Sequence, residues 1–132
     1  DFKEDKLEAT IEFVNTLGLK AVGVGGAPHS TYEEAKHTGE VLGFASKKAK
    51  EMGMDTYYHN HTEEFADLKD GKNAMDIISG EGCRLELDTY WSFCAGIDNS
   101  KYLPENKDKI VKVKTNNKDS MNIPVTLHEM GE

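Results

Sequence analysis

The spacing of four strand-like segments is the feature that most constrains how this chain folds. Their centres lie at Val22, Tyr57, Leu87 and Val113, so successive centres are 35, 30 and 26 residues apart. Intervals of this size are typical of a strand followed by a crossover helix, and such units build parallel sheets. The sequence therefore predicts an α/β fold of parallel βα repeats, with helices covering at least one face of the sheet.

The segments between these strands carry helix signals. Apolar residues recur every three or four positions from Leu7 to Leu17, which predicts an amphipathic helix. Thr31 and Glu34 have the spacing of a capping box, which predicts the start of a second helix. Shorter helices are expected in residues 71–79, after an Asp-Gly turn, and in residues 99–106, where a proline breaks the helix.

Composition and charge narrow the function classes. The formal net charge is -8, and such a surface repels phosphate backbones, so we expect no nucleic-acid partner. No apolar run approaches the roughly 20 residues that span a bilayer, and we expect no membrane partner. The two cysteines form no CxxC pair, and a strand of about 17 Å is expected between Cys83 and Cys94, too long for a disulfide. Free thiols suit a reducing compartment, which predicts a cytoplasmic protein.

Alternation within the strands predicts which side chains share a face. Leu85 and Leu87 should face the helices, so that Glu86, Asp88 and Tyr90 face the other way. The same argument points Tyr57, His59 and His61 inward on the preceding strand, and Lys112 and Lys114 inward on the following one. These polar groups should meet at the carboxyl ends of the strands, where parallel sheets and barrels place their functional groups.

A functional site and a structural network both explain such a cluster. Buried polar groups are costly unless they pair or bind a ligand, which favours a metal or substrate site. The two histidines also suit a hydrogen-bonded turn, and Glu86 and Lys114 are able to neutralise each other. The glycines of "GVGGAPHS" lack the Gly-Lys-Ser/Thr ending of a phosphate loop, and we interpret them as a strand end that needs small residues.

The segments "YHNHTEEF" and "LELDTYW", followed by "AGID" and "KIVKVK", resemble the sugar phosphate isomerase/epimerase family, the xylose isomerase-like barrels. The resemblance extends over nearly the whole chain and implies a (β/α)8 TIM barrel. A full barrel takes about 250 residues, so the chain should supply only about four strands, as a half-barrel fragment. Residues 1–132 are then one incomplete domain whose natural start lies upstream.

The resemblance also implies roles for individual residues. Asp88 matches the family's metal-binding carboxylate, His59 stands where many relatives have a glutamate ligand, and Glu64 matches the acid of a Glu-Phe pair. The divalent ion is expected to be Mn²⁺, Co²⁺, Zn²⁺ or Mg²⁺. The predicted site residues are His59 and Asp88 for the metal; Glu86, Lys114 and Glu132 for catalysis; and His61, Trp91 and Lys112 for the substrate.

One departure from the family pattern concerns the metal. Relatives usually read His-x-Lys-Asp on the last of these strands, whereas this chain has Lys112, Val113, Lys114 and Thr115. A protonated lysine is a poor ligand and repels a divalent ion. Two interpretations stay open: the chain has lost its metal, or Lys112 substitutes for it by holding a substrate oxyanion.

The predicted function is that of an isomerase/epimerase-like protein of carbohydrate metabolism. Its substrate would be a sugar or sugar phosphate, and its reaction a metal-assisted proton transfer next to a carbonyl, with the activity of this truncated chain left open. The alternative is a non-catalytic carbohydrate-binding or degenerate barrel that has lost its metal site. A phosphodiesterase of the endonuclease type shares the barrel, but the acidic surface argues against it. The open edges of a half-barrel also predict self-association.

Overall fold

The computed structural model describes residues 4–115. A single 3₁₀ turn, Glu63–Phe65, follows the second strand. In chain order, the other elements are α1 (Glu4–Thr16), β1 (Ala21–Val24), α2 (Tyr32–Glu51), β2 (Asp55–His59), β3 (Asp67–Lys69), β4 (Lys72–Asn73), α3 (Ala74–Gly80), β5 (Arg84–Asp88), α4 (Thr89–Cys94), α5 (Asn99–Glu105) and β6 (Ile110–Lys114).

Four strands form one parallel sheet in the order β1-β2-β5-β6. All three pairings between neighbouring strands are parallel, and helices connect the strands. The predicted fold class is therefore confirmed: the chain forms parallel βα repeats with the arrangement of a partial barrel. Within residues 4–115, β1 and β6 are the edge strands of this sheet.

The hydrophobic core lies between the sheet and helices α2, α3 and α5. Leu85 and Leu87 of β5 are almost completely buried against this layer, as the alternation predicts. A second cluster joins α1 to α2 through Ile11, Ala45 and Ala49. Because the helices within residues 4–115 cover only this face, the described part of the chain leaves the opposite face of the sheet open for polar side chains.

Side-chain hydrogen bonds cap the N-terminus of α2. The Thr31 hydroxyl accepts a hydrogen bond from the Glu34 N–H at 3.1 Å, as the predicted capping box requires. The Glu34 carboxylate, however, accepts from the N–H of Ser30 at 2.9 Å rather than from Thr31. The reciprocal half of the capping box is therefore displaced by one residue.

The chain around Asp70 and Gly71 differs from the prediction. Both residues have positive φ angles, 53° and 76°, so they form a two-residue hairpin turn that joins β3 to β4. Helix α3 begins only after this hairpin, where the Asn73 side chain accepts from the Asp76 N–H. The sequence signal for the turn was correct, but the hairpin that it closes was missed.

The alternation in segment 83–91 predicts a strand over that whole length, but the strand ends earlier, at Asp88. Asp88 accepts hydrogen bonds from the N–H groups of Tyr90 and Trp91, which ends β5 and begins α4. Tyr90 therefore lies on a helix, and the prediction that it shares a sheet face with Glu86 and Asp88 was wrong. Pro104 lies inside the last turn of α5, which ends one residue later.

Three further predictions concern the cysteines, membrane-spanning helices and a strand near the C-terminus. Cys83 is buried and Cys94 is exposed, and both thiols are free. No helix in residues 4–115 is both long and apolar enough to cross a membrane. The sequence of the C-terminal tail predicts a loop with a strand at residues 123–127, and that segment lies outside the described residues.

Candidate functional site

Polar side chains from three adjacent strands meet on the open face of the sheet. Strand register places His59 beside Glu86, Glu86 beside Lys112, and Asp88 beside Lys114. Side chains at paired positions of a parallel sheet point to the same face. The structure thus brings together five of the eight predicted site residues at the carboxyl ends of β2, β5 and β6.

Asp88 lies at the centre of this group and is almost completely buried, with only 2% of its surface exposed. Its Oδ2 atom accepts a hydrogen bond from His59 Nε2 at 3.1 Å and lies 3.6 Å from the Lys114 ammonium. Its Oδ1 atom accepts from two backbone N–H groups of α4, at 3.1 and 3.4 Å. Both oxygens of this carboxylate are therefore already engaged by donors from the protein.

Asn60 fixes the separation between the ends of β2 and β5. This fully buried side chain accepts the Asp88 N–H at 2.8 Å, and its amide nitrogen donates to the carbonyls of Asp88 and His61, each at 3.2 Å. Asn60 is not among the site residues predicted from the sequence, and its role was missed. A single asparagine carries no spacing signal, so its strand-bridging position is visible only in three dimensions.

The two lysines of β6 pair with different carboxylates. Lys112 Nζ donates to the Tyr57 hydroxyl at 3.2 Å and lies 3.9 Å from Glu86, whereas Lys114 lies against Asp88. The alternative in which Glu86 and Lys114 neutralise each other is not the pairing observed, because the register places Lys112 beside Glu86. The pKa of Lys112 is raised, chiefly by its hydrogen bond with Tyr57 and further by the Glu86 charge, so this lysine stays protonated.

Aromatic side chains flank the polar group. His61 lies beyond the end of β2, with its ring 5.0 Å from that of His59 and 5.8 Å from that of Trp91. Trp91, with 36% of its surface exposed, also packs edge-on against Tyr90 at 4.9 Å. Two of the predicted substrate-binding residues therefore form an accessible aromatic border beside Asp88.

A second polar cluster lies next to His61, around the buried carboxylate of Glu64. This group accepts hydrogen bonds from the Tyr58 hydroxyl at 2.9 Å and from the His61 N–H at 2.8 Å. His29 Nε2 lies 3.8 Å away, and His29 was not identified from the sequence. Burial, together with the Glu64 charge, raises the pKa of Tyr58, which keeps its hydroxyl protonated as a donor. This cluster holds the chain just after β2 in position.

The open face carries a cleft of about 310 Å³ beside these residues. Segment 23–25 lines it on one side, and Tyr57, His59, Glu86 and Lys114 line the rest. A β-carbon at Gly23 would come within 2.3 Å of the Tyr57 ring, so a side chain there would displace the tyrosine. This close approach supports the predicted need for a small residue at Gly23, whereas a β-carbon at Gly25 or Gly26 would have no neighbour within 4 Å.

The donors in this cleft do not by themselves fit a divalent cation. His59 Nε2 and Asp88 Oδ2 face each other at a distance suited to one ion, but no group of three or more His, Cys, Asp or Glu side chains within residues 4–115 is placed to hold a metal. Catalytic metal sites normally supply three protein ligands. Lys114 adds a positive charge where the ion would lie. Glu132 lies outside the described residues, so its catalytic role stays a prediction.

Comparisons with known proteins identify the fold. Two crystal structures of sugar phosphate isomerase/epimerases from Parabacteroides distasonis match 83% of this chain. One has a TM-score of 0.73 at 18% identity, and the other has a TM-score of 0.69 at 24% identity. The matched region covers 43% and 44% of those chains, so this chain spans less than half of their length. No protein-family model and no curated protein matches the sequence.

Proposed function

We propose that this chain is part of a barrel of the sugar phosphate isomerase/epimerase type, and that it binds a sugar or sugar phosphate at the carboxyl ends of its strands. One observation carries the proposal. His59 Nε2 and Lys114 Nζ lie 3.1 and 3.6 Å from Asp88 Oδ2, so three adjacent parallel strands bring their side chains to one carboxylate. The fold that places them there is shared with solved sugar phosphate isomerase/epimerases.

The chemistry of the cleft suits a polyhydroxylated ligand. Sugar hydroxyls both donate and accept hydrogen bonds, and the cleft offers carboxylate acceptors from β5 beside ammonium donors from β6. The exposed face of Trp91 adds an apolar surface against which a sugar ring packs. The lysines also suit the anionic oxygens of a phosphate group.

The same residues support proton transfer next to a carbonyl. Such a reaction needs a base that removes the proton and a positive group that stabilises the resulting oxyanion. Glu86 lines the cleft and is the less buried of the two β5 carboxylates, and the ammonium groups of Lys112 and Lys114 lie within 4 Å of these carboxylates. We assign Glu86 as the general base and Lys114 as the ammonium group that donates a hydrogen bond to the oxyanion. Metal ligation by His59 and Asp88 remains a prediction from the resemblance.

Isotope exchange tests the catalytic part of this proposal. The purified chain is incubated with ketoses and ketose phosphates, such as fructose and fructose 6-phosphate, in D₂O, and deuterium uptake next to the carbonyl is followed by NMR. We expect exchange above the buffer rate, lowered at least about tenfold in Glu86→Gln, as is typical for loss of a general base. Lys101→Gln, on the exposed surface of α5, is the control. Exchange at the buffer rate would contradict catalysis.

A non-catalytic sugar-binding domain is the second candidate, and the ion pairs favour it. Each carboxylate of β5 already lies against a lysine ammonium, so it would have to leave this ion pair before it reached a substrate as a base. Saturable sugar binding without isotope exchange, unchanged by a chelator, would support this candidate over the first.

The remaining features of the proposal concern the cellular location, the partners and the self-association of the protein. A cytoplasmic location is a prediction from the free cysteines, and the absence of nucleic-acid and membrane partners is a prediction from charge and hydropathy. Self-association across the β1 and β6 edges belongs to the same group. None of these is needed for the sugar site.

A further inference from the structure

Two lysines and two carboxylates face each other in register on β5 and β6. Lys112 Nζ lies 3.9 Å from Glu86, and Lys114 Nζ lies 3.6 Å from Asp88. The carboxylate side chains are shielded, at 18% and 3% exposed, whereas the lysine side chains are 52% and 58% exposed. The positive groups therefore lie on the solvent side of the carboxylates, where a ligand enters.

The two positive charges balance the two negative ones within this cluster. A divalent ion bound to the same carboxylates would bring the same two charges, and it would have to lie next to Lys114 to reach Asp88 Oδ2. Repulsion between a divalent ion and an ammonium group about 4 Å away lowers a binding constant more than about tenfold, even at the dielectric constant of water. The other oxygen of Asp88 is held by α4 and offers no free approach.

We infer that Lys112 and Lys114 take the place of a divalent cation in this chain, so that the cleft excludes such ions and binds an anionic oxygen of its ligand directly. The ammonium groups are flexible, exposed donors that turn from the carboxylates toward a carboxylate, phosphate or enediolate oxygen. This inference concerns the charge state of the cleft and does not depend on the sugar assignment.

Manganese titration of the full chain tests the exclusion. Free Mn²⁺ is measured by electron paramagnetic resonance, without any sugar present. We expect no saturable site in the unchanged chain below about 1 mM Mn²⁺, because Lys114 repels the ion and residues 4–115 place no third ligand beside His59 and Asp88. In Lys114→Glu, the new carboxylate joins His59 and Asp88 at one corner of the cleft, and we expect affinity to rise at least about tenfold.

Matched variants separate a local effect from a change in net charge. Lys101→Glu makes the same change in charge on α5, where the side chain is 76% exposed, and should bind Mn²⁺ no better than the unchanged chain. Lys114→Gln removes the repulsion without adding a ligand and should give a smaller gain. Adding His59→Gln to Lys114→Glu should abolish the gain. Circular dichroism checks that each variant is folded.

Two results would overturn the inference. One is stoichiometric Mn²⁺ binding by the unchanged chain that disappears in Asp88→Asn. The other is a Lys114→Glu chain that binds no more tightly than Lys101→Glu; if Lys114→Glu does not fold, the same comparison between Lys114→Gln and Lys101→Gln decides. Since no sugar is present, either result leaves the proposed sugar site to be judged by isotope exchange.

Discussion

At the scale of single residues, Asp88 combines three roles. It ends β5, caps α4 by accepting hydrogen bonds from two backbone N–H groups, and accepts a further hydrogen bond from His59 while forming an ion pair with Lys114. Replacement by alanine removes all three functions together, so it does not separate binding from folding. Asparagine keeps an oxygen for the cap and removes the charge, which makes it the informative substitution.

The first prediction follows from the cap. Asp88→Ala should lower the free energy of unfolding by about 1 to 2 kcal/mol, as is typical when an N-cap residue is lost. Asp88→Asn should stay within about 0.5 kcal/mol of the unchanged chain, because asparagine caps as well as aspartate and Lys114, with a side chain 58% exposed, is solvated when its partner loses the charge. Urea unfolding of both variants measures the difference. Equal losses would show that the charge, rather than the cap, stabilises this end of β5.

Cys83 gives a pH prediction. Burial raises the pKa of its thiol to about 11 from an ordinary value of 9.0. The folded chain therefore holds the proton more tightly than the unfolded chain, and this stabilisation is present below about pH 9 and lost as pH rises toward 11. Between these pH values the free energy of unfolding should fall less steeply with pH in Cys83→Ala than in the unchanged chain. The two slopes should differ by at most about 1.4 kcal/mol per pH unit. Identical slopes in the two proteins would contradict this.

At the scale of elements, much of the fold was predictable because it depends on periodicity. Alternation in β5 placed Leu85 and Leu87 against the helices, and the spacing of strand centres predicted the parallel sheet. The β3–β4 hairpin and α4 were missed because each depends on one local choice. An Asp-Gly turn is followed by a helix in some proteins and by a second strand in others, and here it joins β3 to β4. Asp88 fits the alternation of a strand, and only its hydrogen bonds to the next backbone N–H groups show that α4 begins there.

The candidate site was predictable for a similar reason and only in part. Parity and the carboxyl-end rule brought His59, Asp88 and the β6 lysines to one face, without any knowledge of distances. The pairing of each lysine depended on strand register, which the sequence does not show. Asn60 and His29 act through contacts 28 and 29 residues away in sequence, so no short motif identifies them.

A prediction at this scale concerns the packing of β1 on β2. Gly23→Ala should push the Tyr57 ring aside, break its hydrogen bond with Lys112 and destabilise the chain by about 1 kcal/mol. Gly25→Ala is the matched control, because a β-carbon there has no neighbour within 4 Å. Thermal unfolding compares the two variants. If the control is destabilised equally, glycine's backbone freedom rather than the contact with Tyr57 is responsible.

At the scale of the whole molecule, the described sheet ends in two edge strands, β1 and β6. Such edges present unpaired backbone groups that pair with other strands. Three large apolar side chains at the end of α1 and in the loop after it are also more than half exposed: Phe13, Leu17 and Leu19. These features favour association of the chain, while its net charge of -8 opposes it.

Sedimentation velocity over a hundredfold range of concentration tests this association. We expect the average mass to rise with protein concentration, and to rise further in 1 M salt, because salt screens the repulsion between like-charged chains and leaves apolar contacts intact. A constant monomer mass at every concentration and salt level would show that the sheet edges are not available for pairing.

The sugar site is tested most directly by the fluorescence of Trp91, which is the one tryptophan of the chain and borders the cleft through His61. Titration with fructose 6-phosphate in the presence of EDTA should change the emission along a saturable curve in the unchanged chain. The affinity obtained from this curve should fall at least about tenfold in Lys114→Gln, while Lys101→Gln should leave the affinity unaltered. No saturation with any ketose phosphate, or equal curves for both lysine variants, would contradict the account.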